Sequence, residues 1–173
     1  MKIEVRKAVD VPHDALWAAI SDFAGTQNFN PVVETSVLTG DTPNQGLGIQ
    51  RLCTFYDGNS ILETVKDWRD KSGFTVEMTE MNMPFKSAHA TLDALPAGDG
   101  KSVITMTLEA TPKYGIFGAL MGAVMIRPMM TKMMGSVVDG LAHHAQTGDL
   151  IGKDGVATKA AAVGAAGPEF VAA

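Results

Sequence analysis

Between residues 32 and 112 the chain reads as six β-like runs, at about 33–39, 48–56, 60–68, 73–80, 86–95 and 102–110, and this spacing constrains the fold more than any other feature. The breaks are TGDTPNQG (39–46), DGN (57–59), RDKSG (69–73), MNMP (81–84) and PAGDG (96–100). Each carries the Gly, Asp, Asn or Pro that supplies the backbone angles of a tight turn. Parallel neighbours need a long crossover, so connections this short predict a meander of antiparallel strands.

Elements at both ends complete the pattern. Ile3 and Val5 alternate with Lys2, Glu4 and Arg6, the period of a strand with one buried face, over Lys2 to Ala8. In VPHDALWAAISDF, Pro12 stands where a first helical turn tolerates it and Asp14 where it complements the helix dipole. Leu16, Trp17 and Ile20 form the buried stripe of that short helix, and DFAGTQNF forms a second short piece ending before Pro31. From about Gly115 to Gln146 the period is helical: Lys132, Ser136, Asp139 and His143 make a polar stripe opposite Met130, Met134, Val137 and Leu141. Pro128 predicts a kink or break near Val124 to Arg127. The expected fold is α+β, a seven-stranded curved antiparallel sheet wrapped around a long C-terminal helix that covers its apolar face.

The domain is expected to span 1–146, with 147–173 as a flexible Ala/Gly-rich tail, since 13 of those 27 residues are Gly or Ala; the tail carries at most a weak helix near Ala157 to Val163. Fourteen basic residues against 19 acidic, with no basic run, argue against a nucleic-acid partner. The longest apolar run, Ile116 to Ile126, has 11 residues, short of the ~20 that a membrane span requires. A lone Cys53 and an N-terminus without an apolar leader segment favour a reducing, cytoplasmic setting.

The run VPHDALWAAISDFAGTQNFNPVV resembles the opening of the START-like, birch-pollen-allergen-like superfamily, in its polyketide cyclase/dehydrase branch. The resemblance continues through GIQRLCTFYDGNSILETVKDW and MNMPFKSAHATLDALPAGDGKSVITMTLEATP and covers about residues 3–145. It is carried by Trp17, Asp22-Phe23, Pro31, Arg51 before the Asp57-Gly58 turn, Glu63, Pro84 and Gly98-Asp99-Gly100, while Phe29 stands where many relatives carry tryptophan. What the resemblance implies is a helix-grip fold with an apolar cavity between the sheet and the long helix. Members bind lipids, sterols, hormones or polyketides, and only some are enzymes, so fold analogy does not choose among them.

Alternation proposes the cavity wall: Phe74, Val76 and Met78; then Ala88, Ala90 and Leu92, with Ala94; then Ile104, Met106 and Leu108. Alanines on an inward face leave space that larger side chains would fill. The helix contributes Phe117, Met121 and Val124, and beyond the proline Met130 and Met134. Methionine adapts to irregular ligands, and it also fills plain cores. Met125, Met129 and Met133 lie beside this stripe, facing solvent or a second subunit, and an exposed patch of that kind would suit dimerisation or a lipid-facing mouth.

Arg51 and Glu63 flank the Asp57-Gly58 turn on consecutive strands, where an odd loop sets them opposite each other on one face. Facing inward, they would anchor a carbonyl or hydroxyl, with Glu63 as a general base. Facing outward, they are a surface ion pair, the reading favoured because charged residues are seldom fully buried. His143 and His144 diverge on a helix and read as a chance pair on a frayed last turn; His13 falls in a first helical turn and His89 on an outward strand face. No HExxH, CxxC or carboxylate cluster appears, so neither a metal nor another cofactor is expected. Cys53 reads as a buried small hydrophobe. The leading expectation is binding of a small, mostly apolar molecule, lipid, sterol-like or aromatic polyketide-like, without catalysis. The alternatives are a cyclase/aromatase or dehydratase using Arg51 and Glu63, and a protein-interaction module using the outer methionines and the tail.

Overall fold

Seven strands form one antiparallel sheet in the order β1-β7-β6-β5-β4-β3-β2, so every neighbour after β1 follows from the short turns read in the sequence. The strands are β1 (Lys2–Val9), β2 (Val33–Leu38), β3 (Gln50–Phe55), β4 (Ser60–Arg69), β5 (Gly73–Thr79), β6 (Phe85–Gly98) and β7 (Lys101–Pro112). This computed structural model describes residues 1–40, 45–82, 85–113 and 125–160. Between β1 and β2 come helix α1 (His13–Ser21) and a 3-10 turn over Phe23–Asn28, as the proline and dipole signals predicted. Helix α2 (Arg127–Thr147) packs across the inner face of the sheet.

Amphipathic period fixes how α2 sits. Met130, Met134, Val137 and Leu141 are buried, whereas Lys132, Ser136, Asp139 and His143 are exposed. Pro128 lies in the first turn of α2, where its missing N–H costs nothing, and the expected helical stretch 115–124 lies outside the described residues. Gly148 ends the helix in the left-handed conformation, φ 77°, with its N–H bonded to the His144 carbonyl.

The last turn of α2 is not frayed, contrary to the expectation. His144 Nδ1 donates to the Asp149 carbonyl at 2.7 Å, and His143 Nε2 lies 3.1 Å from the Asp149 carboxylate. These contacts lead into β8 (Leu150–Ile151) and β9 (Ala157–Thr158), a small hairpin whose Ile151 is buried against α2. Residues 157–158 are therefore strand and not the start of a weak helix; the rest of that expected helix, from 161 on, lies outside the described residues.

The free edge of β2 is blunted from within the chain. Gln27, in the 3-10 turn, accepts a hydrogen bond from the Ser36 backbone N–H through Oε1 at 2.7 Å. A buried strand edge otherwise carries unpaired donors that invite another chain.

Candidate ligand site

Register across the sheet decides which side chains meet. Val5 pairs with Met106, Met106 with Leu92, Ala90 with Leu108 and Val76, Met78 with Ala88, and Glu63 with Met78. Diagonal neighbours on one face lie within reach of long side chains, so Val5, Met106, Ala90 and Met78 form an oblique row across β1, β7, β6 and β5. The row continues directly onto Glu63 and then Arg51, its partner across β3 and β4.

Along this row the side chains are less buried than those on either side of it. Phe74, Val76, Leu92, Ala94 and Ile104 are buried in one cluster with Val137, Val138 and Leu141. Ala88, Leu108 and Ala110 are buried in a second, with Ile3, Phe85, Met130 and Met134. Val5, Met78 and Met106 border both clusters, Ala90 borders the first, and all four retain partial solvent access. The partly exposed row therefore lies between two buried clusters on the inner face of the sheet. Of the helix residues expected to share the wall, Phe117, Met121 and Val124 lie outside the described residues.

The polar end of the row corrects one expectation. Arg51 and Glu63 do not form a surface pair: they are only 7% and 8% exposed and lie on the inner face. Burial is tolerated because their charges are partnered. Arg51 Nε donates to Glu63 Oε2 at 2.5 Å and an Nη donates to the Phe23 carbonyl at 2.5 Å. The guanidinium carbon also lies 4.0 Å from the centre of the Phe23 ring, a geometry in which the ring face attracts a cation. Cys53 Sγ lies 3.7 Å from Glu63 Oε2 and 3.9 Å from Ser36 Oγ. Burial, reinforced by the Glu63 charge, pushes the Cys53 thiol up to about 12, so it stays protonated and unreactive, as the buried-hydrophobe reading expects.

An aromatic cluster supports this corner, and the sequence reading missed it. Phe23 meets Phe74 edge-on at 5.5 Å, Trp68 stacks on Phe74 at 5.7 Å, and Trp17 meets Trp68 edge-on at 5.7 Å. A bulge between Val65 and Asp67 brings Trp68 onto the same side as Val65. Two clefts, of about 400 and 390 Å³, lie beside α1 and beside the β8–β9 hairpin, and none of the expected wall residues lines them. Among the described residues no group of His, Cys, Asp and Glu is arranged to hold a metal ion. His89 lies on the outer face, opposite Glu77 and Glu109, and His13 approaches the Ala94 carbonyl at 3.2 Å.

The family model for polyketide cyclase / dehydrase and lipid transport matches residues 1–146. The chain belongs to this family. A search of curated protein sequences finds no match. Among solved structures, an uncharacterised protein from Bacillus thuringiensis is similar at TM-score 0.69 and 15% identity, covering 84% of this chain and 99% of that one. A protein from Thermus thermophilus is similar at TM-score 0.69 and 17% identity, with 86% and 99% covered. Norcoclaurine synthase from Thalictrum flavum, in complex with dopamine and hydroxybenzaldehyde, is similar at TM-score 0.65 and 16% identity, with 84% and 86% covered. At these identities the likeness establishes the birch-pollen-allergen-like helix-grip fold of this family member, and chemistry has to be argued from the site.

Proposed function

We propose that this family member binds a small, mostly apolar molecule along the row Val5, Met106, Ala90 and Met78, with a polar end of the ligand directed at Glu63 and Arg51. One observation carries the reading: a row of partly exposed apolar side chains on the inner face runs between two buried clusters and ends on a buried charge pair. Phe74, Val76, Ala88, Leu92, Ile104, Leu108, Met130 and Met134 shape its surroundings from the packed clusters. Apolar lining with a few placed polar groups is the usual composition of a small-molecule site. The methionines accommodate a lipid, a sterol-like molecule or an aromatic polyketide by changing rotamer, and a single buried thiol suits a reducing, cytoplasmic setting.

Native mass spectrometry of the gently purified chain, followed by a thermal-shift screen of fatty acids, sterols and aromatic polyketides, tests the proposal. Ala90→Phe fills the row from the sheet side. The expected result is a ligand-dependent rise in melting temperature that Ala90→Phe abolishes while the fold persists. A chain that takes up none of these compounds, or an Ala90→Phe variant that binds unchanged, overturns the assignment.

A cyclase- or dehydratase-type reaction is the second reading, favoured because Glu63 faces the row and not the convex side of the sheet. Glu63 Oε2 is already engaged by Arg51 and approached by Cys53, so proton transfer to this carboxylate requires the substrate to displace part of that network. Binding without turnover is therefore the primary reading. Turnover of an aromatic polyketide by the native chain but not by Glu63→Gln would establish the second.

A further inference from the structure

We propose that the N-terminal end of α2 is a docking surface for an anionic lipid bilayer. Met125 and Met129 are 70% and 62% exposed, an unusual position for two large apolar side chains one turn apart. Beneath them the same end of the molecule is apolar, with Ile126 and Met133 packed on the cluster that holds Phe85 and Met130.

Charge selects the occupant. The chain carries a net charge of −5, yet residues 110–138 contain Lys113, Arg127 and Lys132 and no acidic residue. Lys132 is exposed on the same face of α2 as the two methionines, and Arg127 is exposed across the first turn of the helix from them. Phe85 pairs with Pro112 at this end of the sheet, so exposed Lys86 and Lys113 flank the same apolar cluster. Of the acidic groups nearby, Glu80 is exposed in the turn after β5 and Glu109 is paired with Lys2 at 3.0 Å. A basic rim around exposed apolar side chains on an acidic protein matches lipid headgroups above acyl chains, and it orients the molecule with this end toward the membrane. A second copy of the chain is the poorer complement, because a two-fold contact through the methionines would bring the exposed Lys132 on the same face toward its own counterpart. The inference stands on surface residues alone and is independent of the interior ligand.

Co-sedimentation of the full chain with phosphatidylcholine vesicles, and with vesicles of phosphatidylcholine mixed with phosphatidylglycerol, reads the surface directly. Binding is expected to the mixed vesicles only, and to disappear in ~1 M salt, where the screening length is ~3 Å. Arg127→Ala/Lys132→Ala is expected to weaken it roughly thirty-fold. Met125→Ser/Met129→Ser is expected to weaken it by at least roughly ten-fold. All four positions are exposed, and circular dichroism of each variant is expected to match the native chain. Failure to bind mixed vesicles, or unchanged binding by either variant, overturns the proposal. So does light scattering that shows a native dimer dissociated by Met125→Ser/Met129→Ser, which would assign the surface to a second copy.

Discussion

Replacing Arg51 with methionine keeps most of the side-chain volume and removes the cation. Glu63 would then hold a carboxylate at 8% exposure with the Cys53 thiol and no counter-charge beside it. Stranding one member of a buried pair costs ~3–5 kcal/mol. Loss of the Arg51 donor to the Phe23 carbonyl lies within that total, since the same guanidinium makes both contacts. A domain of this size loses ~2–4 °C of melting temperature per kcal/mol, so Arg51→Met is expected to melt ~6–20 °C below the native chain. Arg51→Met/Glu63→Leu removes both charges and is expected to recover most of that loss, because apolar replacement of a buried pair is often neutral or stabilising by ~1–4 kcal/mol. Urea melts of the native chain, both single variants and the double variant complete a double-mutant cycle. An Arg51→Met cost below ~1 kcal/mol, the value of a surface pair, would show that water reaches the pair freely and would refute the polar end of the proposed site.

Three other measurements probe the frame around the site. Cys53 is expected to resist thiol reagents in the native state and to react once urea unfolds the chain. Its thiol titrates at about 12 when folded against an ordinary value of 9.0; the neutral form is favoured in the fold, so its contribution is intact below 9 and declines from 9 to about 12, a decline that Cys53→Ala removes from alkaline melting curves. Gln27→Ala leaves the Ser36 N–H at the β2 edge without its acceptor and is expected to cost ~1–3 kcal/mol; unchanged stability in a urea melt would mean that water replaces the glutamine. Gly140→Ala places a Cβ 2.2 Å from the Phe29 carbonyl oxygen, so it is expected to destabilise by ~1–3 kcal/mol although alanine is the better helix former by ~1 kcal/mol; a variant more stable than the native chain would contradict that close contact.

What the sequence disclosed, and what it concealed, follows from the range over which each signal acts. Turn residues act locally, so the six antiparallel runs and their inward faces in β5, β6 and β7 were legible, as was the opposition of Arg51 to Glu63 across an odd hairpin. The direction of that pair was misread because hydrophobicity is inverted there: Leu52 and Leu62 pair with each other, and Leu52 with exposed Val37, on the outer face, while the charges turn inward. A corrective signal was present in ILETV, where Glu63 alternates with Ile61 and Val65, both buried. General rarity of buried charge outweighed it. Val5 could not be placed beside Met106 by any local rule, since β1 and β7 join opposite ends of the domain. The same limit hid Gln27 at the β2 edge and Phe23 over Arg51, contacts made by a 3-10 turn with no period of its own. The interior charges are thus held by residues from a third segment, with Phe23 supplying both a carbonyl and a ring to Arg51. That arrangement explains why the inverted strand pattern is stable: an inward Arg–Glu pair with only the sheet to contact would leave the guanidinium against apolar neighbours, whereas here the 3-10 turn supplies a carbonyl and a ring to the cation.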